Sequence, residues 1–158
     1  MYIDKYLLRL EENLMLGSGR WIADFTESFR NHRINDAKFD MFIIGNTRPK
    51  GFLLSKLFGY FAMPNYRVAC FVYCQQIDTK GLTSLIKLIS SYMEENNFAW
   101  SWLVISKEGH FNSKIKDSIK KVDVEKIGIA LVDLYNREIE CSPSYLGKRM
   151  KAHVKCFK

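Results

Sequence analysis

Apolar residues recur at helical spacing in the first stretch of the chain, where Ile3, Tyr6, Leu7, Leu10 and Leu14 share one face of IDKYLLRLEENLML. Gly17-Ser18-Gly19 closes that helix. The next stretch, GRWIADFTESFRNH, repeats the spacing with Trp21, Ile22, Phe25 and Phe29 and predicts a second helix. FDMFIIG, Phe39 to Gly45, reads as a strand. Between Asn46 and Asn65 the pattern fits two elements equally, a short crossover helix or one arm of a meander, both built on GFLLSKLFGYF.

From Tyr66 onward the signals are sharper. In VACFVYCQQ, Val68, Cys70, Val72 and Cys74 form one face of a strand and Ala69, Phe71 and Tyr73 the other. Both faces are apolar, which places the strand inside a sheet covered on both sides. Asp78 or Thr79 caps the following helix, whose buried stripe is Leu82, Leu85, Ile86, Ile89, Tyr92 and Met93, and Asn96-Asn97 stops it. FAWSWLVIS is the next strand and NSKIKDSIKKV a short helix begun by Asn112 or Ser113. IGIALVDL is another covered strand, and EIECS returns as an edge strand after the turn Tyr135 to Glu138. Ser142 then caps a last helix with Pro143 in its first position, and Tyr145, Leu146, Met150 and Val154 face inward. Strand, helix, strand, helix, strand predicts an α/β fold: one domain over residues 1–158 with a central mixed or mostly parallel sheet and helices on both faces.

Charge adds a partner class. The net charge is +7 at pH 7, and residues 141–158 contain Lys148, Arg149, Lys151, Lys155 and Lys158 without one acid. A solvated helix face and a phosphate-facing surface both account for that run. The cysteines, Cys70, Cys74, Cys141 and Cys156, have no framework spacing. Cys70 and Cys74 stand about 13 Å apart at the usual strand rise, too far for a disulfide, so buried free thiols are expected. No apolar run reaches the length of a membrane span, and the N-terminus has no signal-peptide layout; a cytoplasmic location is expected.

Ligands of α/β sheets bind beyond the carboxyl ends of the strands. Here those ends are Cys74-Gln75-Gln76 with Asp78, then Ser106-Lys107-Glu108, then Asp133. The chain has no G-x-G-x-x-G, no phosphate loop and no nucleophile elbow, so no cofactor is expected. Gly45 to Gly51 lacks the glycine spacing that wraps a diphosphate. Cys74 as a nucleophile would need His110, which follows the next strand.

The order from VACFVYCQQ through DTKGLTSLIKLISSYMEENN, AWSWLVIS, Glu108-Gly109-His110-Phe111, NSKIKDSIKKV and IGIALVDL resembles the C-terminal half of Mrr-type domains in the restriction-endonuclease-like superfamily. The resemblance covers about two thirds of the chain. It implies an acid on one strand and an E-x-K on the next, the carboxylates holding Mg²⁺ and the Lys positioning water. Asp40 matches the first acid. The E-x-K falls on Tyr73-Cys74-Gln75 or Cys74-Gln75-Gln76, neither of which carries the Glu or the Lys. The resemblance thus implies a nuclease-like fold whose usual metal site is lost, with Gln75 and Gln76 left to caps and loop contacts.

Three function classes follow. The first is a non-catalytic module binding a macromolecule, nucleic acid before others, through Lys148, Arg149, Lys151 and Lys155 beside Tyr145. The second is a metal-dependent hydrolase with atypical ligands drawn from Asp40, Glu27, Asp78 and Asp133. The third is a protein–protein assembly subunit or homo-oligomer, with Phe58, Tyr60, Phe61 and Met63 as its surface.

Overall fold

The computed structural model of the chain describes residues 1–47 and 66–157. Two readings of the sequence, the helix-or-meander segment and the aromatic surface at Phe58 to Met63, lie outside the described residues. Among the described residues, six strands form one mixed sheet in the order β1-β2-β3-β4-β5-β6, with four α-helices packed on it. The strands are β1 (Ala23–Ile34), β2 (Ala37–Thr47), β3 (Arg67–Tyr73), β4 (Phe98–Lys107), β5 (Ile127–Asp133) and β6 (Glu138–Cys141). The helices are α1 (Ile3–Met15), α2 (Thr79–Glu95), α3 (Ser113–Lys121) and α4 (Tyr145–Val154). Pairing is antiparallel from β1 to β3, parallel from β3 to β5, and antiparallel again at β6.

The four strands expected at 39–45, 67–75, 99–106 and 127–134 all stand in this sheet. Every residue of β5 is buried, as its unbroken apolar run requires of a strand covered on both faces. One face is covered by α1 and α4, where Tyr6, Leu10 and Leu14 meet Met41, Val72, Trp102, Val104, Met150 and Val154. The other is covered by α2 and α3, where Leu82, Leu85, Ile89, Ile115 and Ile119 pack on Phe42, Phe71, Leu103 and Leu131. Both crossovers step the same way, β3 to β4 to β5, and so both deliver their helices to one face.

The caps follow the residues that nominate them. The Gly81 N–H donates to Asp78 Oδ1 at 2.7 Å and the Ile115 N–H to Asn112 Oδ1 at 2.9 Å, closing the first turns of α2 and α3. Asn97 ends α2 in the left-handed region, with φ of 56°.

Two expectations are corrected. The stretch read as a second helix is a 3₁₀ turn, Ser18–Trp21, followed by the twelve residues of β1. The spacing of Ile22, Phe25 and Phe29 is the imprint of an irregular strand. A register shift between Phe25 and Glu27 and a positive φ of 54° at Asn31 break the period of two. The second correction concerns the start of α4. Ser142 is not the cap: its N–H donates to Ile129 O at 2.8 Å and its Oγ accepts from the Ile129 N–H at 3.0 Å, which makes it an extension of the sheet. The cap is Ser144, whose Oγ accepts from the Gly147 N–H at 3.1 Å, and Pro143 precedes the helix.

Candidate functional site

The antiparallel register of β2 and β3 sets Met41 opposite Val72, so the start of β2 lies at the carboxyl end of β3. Asp40 is thereby brought against the strand end, and its Oδ2 accepts from the Cys74 N–H at 2.7 Å. The Cys74 thiol lies 3.1 Å from the hydroxyl of Ser106, itself fully buried at the end of β4. Burial pushes this thiol up to about 12, against the opposing pull of the Ser106 hydrogen bond, and Asp40 adds to the rise. A thiol so held is kept in its protonated form, which argues against a nucleophilic role. The pairing with His110 is not made. His110 Nδ1 lies 3.2 Å from Asp133 Oδ2, and its ring meets Tyr135 edge-on.

The remaining residues of the strand end do separate work. Gln75 donates from Nε2 to Lys38 O at 3.3 Å, a loop contact. Gln76 and Asp78 line a groove of about 790 Å³ between the β1–β2 turn and α2, floored by Ile77, Leu85 and Leu88. The charged residues of that groove are Asp36 and Asp78, so it does not favour phosphate. Asp133 is buried and uses Oδ1 to hold the Tyr135 and Asn136 N–H groups, at 2.9 and 2.8 Å. Glu27 is exposed on β1. Asp40, Asp78 and Asp133 thus each hold backbone N–H groups, and among the described residues no three His, Cys, Asp or Glu side chains gather where a metal ion would sit.

The basic helix presents a different surface. On α4, Met150, Val154 and Gly147 are buried while Lys148, Arg149 and Lys151, with Lys155 just beyond, are exposed. Tyr145, expected inside, is 74% exposed and carries the Arg149 guanidinium 5.8 Å from its ring centre. The inward position belongs instead to Gly147. An added Cβ there would meet Ser142 O at 2.3 Å, and one on Gly128 of β5 would meet the α4 backbone at 2.7 Å. Two glycines let the helix lie backbone-close on the sheet.

Some cations elsewhere are engaged. Lys116 and Lys120 of α3 pair with Glu140 of β6 at 3.0 and 3.4 Å, and Arg30 pairs with Glu11 of α1. Among the described residues, Lys148, Arg149, Lys151 and Lys155 form no ion pair.

Comparison of the chain with protein-family models, with curated proteins and with solved structures finds no match. None of the described helices is long and apolar enough to cross a membrane.

The contacts of Asp40 with Cys74 and of Cys74 with Ser106 have no signal in sequence until the strand register is known. The groove between α1 and α4, about 450 Å³ and lined by Arg9, Asn13, Leu16, Ser18 and Lys155 among others, was also missed. It joins residues about 140 positions apart, as when Asn13 Nδ2 donates to His153 O at 2.6 Å.

Proposed function

We propose that the protein is a non-catalytic α/β module that binds nucleic acid through the outer face of α4. The observation that carries this reading is the set of four exposed cations on and just after one helix, without an acid among residues 141–158 to neutralise them. Lys116 and Lys120, equally basic in sequence, are absorbed by Glu140. The α4 cations keep their charge for a partner, and a polyanion releases condensed counterions when it meets such a face. A nuclease-like scaffold without its metal site is compatible with this reading. Asp40 stands beside the strand end that would bear the E-x-K, and Cys74 and Gln75 offer no carboxylate to a hard cation.

The test is charge reversal. Lys148, Arg149 and Lys151 changed together to Glu should leave the thermal midpoint near that of the parent, because exposed charges contribute little to stability. The slope of log affinity against log salt for duplex DNA should fall by up to about 2.7, from roughly 0.9 per phosphate contact over three contacts. A triple variant with the parent's affinity and slope would refute the proposal.

A further inference from the structure

We infer that the nucleic acid taken by this face is single-stranded and bound with little sequence preference. The inference rests on the reading of α4 as a phosphate-facing surface and adds the class of strand it accepts.

Three features carry it. The first is a pair of exposed aromatic rings, one on α4 and one on the turn docked at its far end. Tyr145 opens α4 and Trp21 ends the 3₁₀ turn, and they are 74% and 77% exposed. That turn is docked on the far end of α4, where Ser18 Oγ lies 2.9 Å from His153 Nδ1. The cations therefore lie on and just after a helix about 15 Å long, from its ten residues at 1.5 Å rise, with Tyr145 at its start and the turn that carries Trp21 docked beside its end. Exposed rings interleaved with cations suit unstacked bases, whose faces a duplex hides.

The second feature is the depth of α4. Reading a duplex by helix requires a helix that enters the major groove. α4 instead lies flat, its backbone pressed on β5 at Gly128 and its flank against α1, where the Tyr6 hydroxyl donates to Val154 O at 3.0 Å. Only its outer side chains reach a ligand.

The third feature is what those side chains are. The outer positions hold Tyr145, Lys148, Arg149, Lys151, Ala152 and Lys155. No Asn, Gln, Asp or Glu stands among them to read adenine or cytosine edges, and the cations could favour guanine alone. Beyond the last turn the groove between α1 and α4 continues the surface with Arg9 and Lys155, partly offset by Glu12. Backbone charge and ring stacking are the main contacts this surface offers, and both are indifferent to sequence.

The experiment is an anisotropy titration of the whole chain with labelled single strands of about 12 nucleotides, within the span of known single-strand sites, and with the matching duplexes. The single strand is expected to bind more tightly at equal salt, with similar affinity for mixed and homopolymeric sequences. Tyr145→Ala and Trp21→Ala should each weaken it by roughly 5- to 150-fold, the loss of one stacked base, with the salt slope unchanged and the thermal midpoint kept. Binding should quench Trp emission in the parent and not in Trp21→Ala. Duplex binding as tight as single-strand binding, with both aromatic variants silent, would overturn the inference while leaving a salt-dependent basic face. Insensitivity of both ligands to the Lys148, Arg149 and Lys151 reversal would overturn the parent reading, and this inference with it.

Discussion

Gly147 is where the packing of α4 can be tested against simple helix propensity. In an isolated helix, Gly→Ala stabilises by about 1 kcal/mol, through backbone entropy and a better interior residue. In this fold the new Cβ would sit 2.3 Å from both the carbonyl oxygen and the Oγ of Ser142, nearer than real Cβ contacts allow. Neither atom is a flexible chain end. The Ser142 backbone is bonded to Ile129 O, and its Oγ accepts from the Ile129 N–H and lies 3.2 Å from Ser144 Oγ, the cap of α4. Retreat of α4 would relieve the clash only by giving up its close backbone packing on Gly128. Overpacking of a well-filled site costs roughly 1–3 kcal/mol, and each buried hydrogen bond displaced adds about 1 kcal/mol. Set against the propensity gain, Gly147→Ala should destabilise by roughly 1–3 kcal/mol. For a chain of this length that lowers the thermal midpoint by roughly 2–12 °C. Urea and thermal denaturation followed by circular dichroism measure it. An Ala variant as stable as the parent, or more so, would show that α4 is not seated on β5 as described.

Further outcomes are expected. Asp78→Ala and Asn112→Ala each remove a side-chain cap from α2 or α3 and should cost about 1 kcal/mol in urea denaturation; Asp78→Asn, which keeps an acceptor, should be nearly silent. Stability should fall as pH rises above about 9, because burial holds Cys74 at about 12 and Cys141 and Cys156 at about 11, from an ordinary 9.0. The unfolded thiols release protons first, so the contribution is full below pH 9 and is lost as pH climbs toward the folded values; a flat midpoint from pH 8 to 10.5 would contradict it. Supercoiled and linear DNA should remain intact with Mg²⁺ or Mn²⁺, and cleavage abolished by Asp40→Ala would reveal ligands drawn from other strands.

Burial pattern made much of this fold legible in the sequence. β3, β4 and β5 announce themselves because a strand covered on both sides needs apolar residues at successive positions, and Asp78 and Asn112 mark helix starts by their own chemistry. β1 was misread because its shift at Phe25 and the left-handed Asn31 erase alternation, leaving ring spacings that mimic a helix turn. The start of α4 was displaced by two residues because Ser142 and Ser144 are equally good caps in sequence. Only the ladder to Ile129 tells them apart. At the strand end, sequence could name Asp40 and Cys74 but not join them, since the contact depends on how a distant strand is registered. The four cations on and just after α4 were legible as charge. Their freedom from ion pairs emerged only once the acids of β6 were found beneath α3.

The irregularity of β1 has a consequence for how copies of this protein meet. A strand of twelve residues at the margin of a sheet is a ready template for another chain, and long flat margins invite fibres. This margin is neither flat nor uniform. The shift at Phe25 and the turn of Asn31 into the left-handed region twist it at two places, and Thr26, Glu27, Arg30, Asn31 and Arg33 expose polar or charged groups along it. A second strand laid alongside would lose its ladder at each break and bury charge between them. The features that hid β1 from pattern recognition are thus the ones that make it a poor template for strand addition.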